Sequence, residues 1–162
     1  NNPTLPLESL QRMMDGKLRQ LEPIEYTAAE LAWAATIRES FGDDAPDQAQ
    51  SREVEDYAVL TGYGSTDVGD VSRAVPTVSV RAATWVPGTA AHSWQAVAAS
   101  GHSYGTKGTQ HAAKAMMLAA VELYTNPQLR EEAKAEFIAA RGEDYVYESL
   151  LGDRAPPLDY RR

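Results

Sequence analysis

A chain of 162 residues with 43% hydrophobic content has the length and apolar fraction of one ordinary domain with a core, which excludes a repeat array, a linker or a disordered tail. Lys plus Arg number 15 against 23 for Asp plus Glu, and the formal charge of -8 argues against a nonspecific grip on phosphate backbones or anionic lipid, so neither nucleic acid nor a membrane is expected as a partner. With Cys 0 there is no disulfide framework, no thiolate cluster and no cysteine nucleophile, and any metal must use His, Asp or Glu.

The chain opens Asn1-Asn2-Pro3 without an initiator Met, a basic and apolar leader or an apolar stretch of spanning length. That start reads as the inside of a longer protein, soluble and cytoplasmic. Leu7, Leu10, Met14, Leu18 and Leu21 recur at helical spacing after Thr4, a fair N-cap, although Gly16 weakens the helix by roughly 1 kcal/mol relative to Ala. Thr27 with Glu30 forms a capping box ahead of Trp33, Ile37 and Phe41 on one stripe, and Gly42 supplies the stop. From Asp43 to Asp56 the composition is that of a solvated connection.

Pro76 introduces the one convincing strand, Thr77 to Val86, in which Val78, Val80, Ala82, Thr84 and Val86 alternate with Ser79, Arg81, Ala83 and Trp85. A lone strand leaves its ladder groups unpaired, so partner strands are expected either from Val54 to Tyr63 or from sequence preceding Asn1. A Gly- and Ser-containing stretch follows Pro87-Gly88. An Ala-rich helix from about Thr109 to Tyr124 then carries Ala112, Ala113, Met116, Ala119, Ala120 and Leu123 on a wide apolar face. Asn126 caps the next helix with Pro127 in its first position, Leu129, Ala133, Phe137 and Ala140 line one side, Glu131, Glu132, Lys134 and Glu136 face water, and Gly142 ends it. Glu143 to Arg162 suits an arm lying over the body.

Three constellations carry chemistry-bearing residues. In Gly62 to Ser72, Asp67 and Asp70 share a face if the segment is helical, while the plainer reading is that Ser65, Thr66 and Asp67 cap a turn. His92, in the loop directly after the strand, has the lone pair of a ligand or base, or is a structural hydrogen-bonding group beside Trp94. Gly101 to Gly108, at the start of a helix, lacks the spacing of a Walker loop and reads as lining a cleft. There Lys107, like Arg81, either meets a substrate carboxylate or is a surface charge. His111, inside the Ala-rich helix, reads as partly exposed or packed.

Taken in order, Gly64-Ser65-Thr66-Asp67-Val68-Gly69-Asp70-Val71-Ser72, Pro76, Ala91-His92-Ser93-Trp94-Gln95 and Gly105-Thr106-Lys107-Gly108 resemble the C-terminal part of the zinc amidohydrolase family of aminoacylases and carboxypeptidase G type enzymes. The resemblance runs over almost the whole chain from Asn2-Pro3-Thr4-Leu5. It implies an α/β fold: residues 1–162 as one segment of an α/β/α catalytic domain, without the lid domain and the N-terminal half. It implies two zinc or manganese ions, an upstream Glu as general base, and hydrolysis of an N-acyl amino acid whose leaving part is often glutamate, in a homodimer or a heteromer with a related subunit. His92 takes the place of a metal ligand, with Asp67 or Asp70 as candidate partners of its second nitrogen, and Asp67, Ser65, Thr66 and Lys107 line the active site. No His-x-Asp motif followed by the family's Glu-Glu pair is found, and Thr106 stands where the family pattern reads Gly-His-Lys-Gly. The fragment alone is therefore expected to be inactive. The rival expectation is a noncatalytic binding or interaction domain of the same architecture.

Overall fold

The computed structural model describes residues 2–42, 45–59, 64 and 66–159. Among the described residues six α-helices follow one another: α1 (Glu8–Arg19), α2 (Ala28–Arg38), α3 (Val68–Ala74), α4 (Trp94–Ser100), α5 (Ser103–Thr125) and α6 (Pro127–Arg141), with short 3-10 turns at Glu39–Phe41 and Gln48–Arg52. The predicted caps of α2 and α6 form as read. Thr27 Oγ1 accepts from the Glu30 amide while the Glu30 carboxylate accepts from the Thr27 amide. The Asn126 side chain accepts from the Leu129 amide over Pro127.

The cap of α1 is nonlocal. Thr4 is not the N-cap. Leu7 occupies that position and has no side chain to cap with, so Glu136 of α6 reaches across and accepts from the amides of Glu8 and Ser9 and from the Ser9 hydroxyl. Glu136, predicted to face water, is thus a partly buried cross-link, and Ala140, predicted to line the packed side of α6, is exposed. α1 lies against α5 and α6. Leu5, Leu7 and Leu10 pack on Ala133 and Phe137, and Met14 packs on Ala115 and Ala119.

The α/β expectation is overturned. Among the described residues there is no strand and no sheet. The alternation read in Thr77 to Val86 holds over residues 78–81, where Val78 and Val80 pack into the α1–α5 core while Ser79 and Arg81 are exposed; Ala82 to Trp85 are all half-buried, and Val86 joins a cluster with Ala34, Ile37 and Tyr104. What is missing is a neighbour. Residues 54–59 form no ladder with this segment, and residues 60–63 of the proposed partner lie outside the described residues. A period of two fixes which side chains face inward but not whether another backbone lies alongside.

The N-terminal segment is strapped across α3. Asn2 Nδ2 donates to Asp70 Oδ1 at 2.7 Å, the Leu5 amide donates to the buried Ser72 hydroxyl at 2.9 Å, and that hydroxyl donates to the Gly69 carbonyl at 2.7 Å. A Cβ at Gly69 would sit 1.7 Å from the Asn2 carbonyl oxygen, so only glycine admits the crossing. The C-terminal arm does not cover the body as expected: Tyr145 is half-buried, and residues 146–159 are exposed.

Candidate functional site

His92 lies in the turn between the extended segment and α4, with its imidazole exposed. Its φ of 61° is in the left-handed region, and it is the non-glycine residue found there among the described residues. For a residue with a Cβ this costs about 1 kcal/mol or more, a type of strain that clusters at functional positions. The turn is held by Ser93, whose hydroxyl donates to the Ala90 carbonyl and accepts from the Ala96 amide as the N-cap of α4. The imidazole makes no hydrogen bond with another described residue.

The other candidate residues do not gather around it. Ser65 lies outside the described residues. Thr66 is exposed and caps locally, its Oγ1 accepting from the Val68 amide at 3.2 Å. Asp67 is exposed at the N-cap of α3 and its carboxylate caps nothing. Asp70, offered as a partner for the second nitrogen of His92, instead holds Asn2. Of the two readings of this motif, the turn-capping one describes Thr66, and Gly69, Asp70 and Ser72 latch the N-terminal segment.

Lys107 lines a cavity with Glu25, Gln110 and His111, and its ammonium is paired rather than a plain surface charge. Its Nζ donates to Glu30 Oε2 at 2.6 Å and to the Glu25 carbonyl at 2.8 Å, and Ser103 Oγ donates to Glu30 Oε1 at 2.7 Å. Glu30 is buried, and its carboxyl is held down to about 2 by Lys107 first, then by Ser103 and the Thr27 amide. The capping box that starts α2 is therefore also the anchor of α5. Around it, Tyr26 stacks on Tyr104 with centroids 4.1 Å apart, and Trp33 stacks on His102 at 4.0 Å. His102 caps α5, its Nδ1 accepting from the Tyr104 amide at 3.1 Å. Sequence reading missed both roles: Glu30 was legible as a cap alone, and nothing local links it to a lysine 77 residues on. His111 is half-buried, and burial, then Lys114, lowers its pKa. Arg81 is exposed.

Over 88 residues the chain is 35% identical to one subunit of the p-aminobenzoyl-glutamate hydrolase of Escherichia coli (strain K12), a match covering 53% of this chain and 18% of that protein. It is a distant relative of a hydrolase subunit. No family model matches the chain, and no solved structure matches it. The described residues include no group of three or more His, Asp or Glu side chains placed to hold a metal ion, and no described helix is long and apolar enough to cross a membrane. The His92 imidazole is exposed and carries no hydrogen bond from another described residue, and the described residues do not complete a donor set around it.

The Glu30–Lys107 pair predicts an acid-labile contribution to stability. The folded pKa lies below the ordinary value of 4.5, so the contribution is present above about pH 4.5 and is lost as pH falls toward about 2. Urea midpoints measured from pH 7 to 2 should fall through this window, and Glu30→Gln should lower the midpoint at neutral pH and flatten that part of the profile. An unaltered profile in Glu30→Gln would remove the pair from the account.

Proposed function

We propose that the chain is part of a metal-dependent amidohydrolase of the cytoplasm that cleaves the amide bond of an N-acyl amino acid such as aminobenzoyl-glutamate. The similarity to a p-aminobenzoyl-glutamate hydrolase carries the reading. His92 contributes one metal ligand, a role supported by its strained backbone and exposed imidazole in a loop that α4 holds in place. The remaining ligands of two zinc or manganese ions and the general base belong to residues outside this sequence. Asp67 and Thr66, on the exposed rim of α3, line the substrate site. Lys107 acts there through the packing of α5 rather than as a substrate contact, because its ammonium is committed to Glu30. The working assembly is a homodimer or a heteromer with a related subunit.

The reading is tested by hydrolysis assays on aminobenzoyl-glutamate and other N-acyl amino acids, with and without zinc or manganese, on the 162-residue chain and on a longer protein that contains it. The chain alone is expected to be inactive and the longer protein active. In the longer protein His92→Ala should abolish activity and lower metal content together. Full metal content with retained turnover would sink the ligand assignment, and no hydrolysis by either protein would leave a binding module.

A further inference from the structure

α3 has little of its own to keep it helical. It has seven residues, and isolated helices shorter than about 12–15 residues are marginal in water. Its composition adds nothing: Val68 and Val71 are β-branched, Gly69 costs roughly 1 kcal/mol relative to Ala, and Asp67 at the N-cap makes no side-chain bond. Nor does it bury an apolar face, since both valines are exposed.

What α3 buries is Gly69 and Ser72, three apart and so on one face, and the N-terminal segment crosses that face. Residues 2–5 supply the Asn2 bond to Asp70, the Leu5 amide bond to Ser72 and the backbone contact at Gly69. The far end of this strap is anchored, because Leu5 and Leu7 are buried with Leu10, Ala133 and Phe137 where α1 meets α6. Elsewhere on α3, Arg141 Nη1 donates to the Arg73 carbonyl at a long 3.4 Å, and the exposed Tyr147 lies beside Asp70. Thr66 and Asp67 take their places from α3 itself. Thr66 Oγ1 accepts from the Val68 amide, and the Asp67 carbonyl accepts from the Asp70 and Val71 amides at 3.0 and 3.2 Å. The anchored core, the strap, α3 and the Thr66–Asp67 rim are thus joined in series.

We propose that residues 2–5 are a latch on α3: with the strap seated the helix is folded and holds Thr66 and Asp67, and with the strap released it unwinds and that rim is lost. Such a unit opens locally, well below the free energy of global unfolding. The coupling is reciprocal, so a ligand held by the rim tightens the strap. The latch stands on the contacts above, and its effect on substrate rests on the proposed hydrolase reading.

Asn2→Asp sets a second carboxylate against Asp70, and Asn2→Asp with Asp70→Asn restores an amide–carboxylate pair with the roles exchanged. In amide hydrogen exchange at neutral pH, the single variant should lose about tenfold in protection at Asp70, Val71 and Val75, the scale of one or two hydrogen bonds. Protection in α5 should not change, and the double variant should recover. Val71→Gly, at an exposed position, loosens α3 and should lower the protection of the Leu5 amide in return. Wild-type protection of α3 in Asn2→Asp, no recovery in the double variant, or a loss shared equally by α5 would overturn the latch. In the longer protein, KM for aminobenzoyl-glutamate should rise in Asn2→Asp at constant kcat and return in the double variant. A loosened α3 with an unchanged KM would overturn the rim as a substrate surface and uphold the latch.

Discussion

Gly108→Ala is expected to destabilise the chain by about 2–3 kcal/mol, a fall in Tm of roughly 5–10 °C for a protein of this size, whereas Gly16→Ala stabilises it by roughly 1 kcal/mol. Both glycines interrupt helices, and helix propensity alone favours alanine at each. Their surroundings separate them. A Cβ at Gly16 meets nothing within 4 Å, while at Gly108 it would lie 2.0 Å from the Ala83 carbonyl oxygen, 2.7 Å from the Ala83 carbonyl carbon and 3.0 Å from the Thr84 Cα. Those atoms are backbone and have no rotamer to change, so α5 must move off the extended segment and take Tyr104 with it. Thermal unfolding of the two variants side by side checks the contrast. A Gly108→Ala protein as stable as wild type would mean that α5 and residues 83–84 are not in contact.

The same glycine shows where sequence reading stopped. Gly105 and Gly108 argue against a helix, which placed the start of α5 near Thr109 instead of Ser103. They are tolerated because the helix must approach backbone on that side: Gly105 that of Ala99 and Thr84, and Gly108 that of Ala83 and Thr84, the last two remote in sequence. α3 and α4 escaped for a different reason: seven residues hold two turns, too few for a periodic apolar pattern. The caps at Thr27–Glu30 and Asn126–Pro127 were legible because both partners lie within one turn. The site divides along the same line. His92 is a candidate by its residue type and its position after the extended segment, and its left-handed backbone is a feature that composition cannot show. For Lys107 the sequence leaves a substrate contact and a surface charge both open, because the partner the structure shows, Glu30, is remote in sequence.

The second large effect is expected at Tyr104, whose two substitutions should diverge. Tyr104 is 0% exposed and packs with Ala34, Ile37 and Val86 while its ring lies flat on Tyr26, 5° from parallel. Truncation to alanine removes a buried aromatic and its stacking contact in a place where Gly105 and Gly108 hold the backbone against neighbours, so the space collapses little. A loss of about 3–5 kcal/mol follows from the ring, with roughly 1 kcal/mol more from the stack. The hydroxyl is a separate matter. Neither Tyr104 Oη nor Tyr26 Oη has a hydrogen-bond partner among the described residues, although both are buried, and burial pushes the Tyr26 phenol well above its ordinary pKa. An unpaired buried hydroxyl costs free energy, so Tyr104→Phe should leave stability unchanged or raise it by about 1 kcal/mol. Urea denaturation of both variants measures the two effects together. A Tyr104→Phe protein that loses more than about 1 kcal/mol would show that the two hydroxyls bond to each other across the stack, which would make the aromatic pair a polar contact as well as an apolar one.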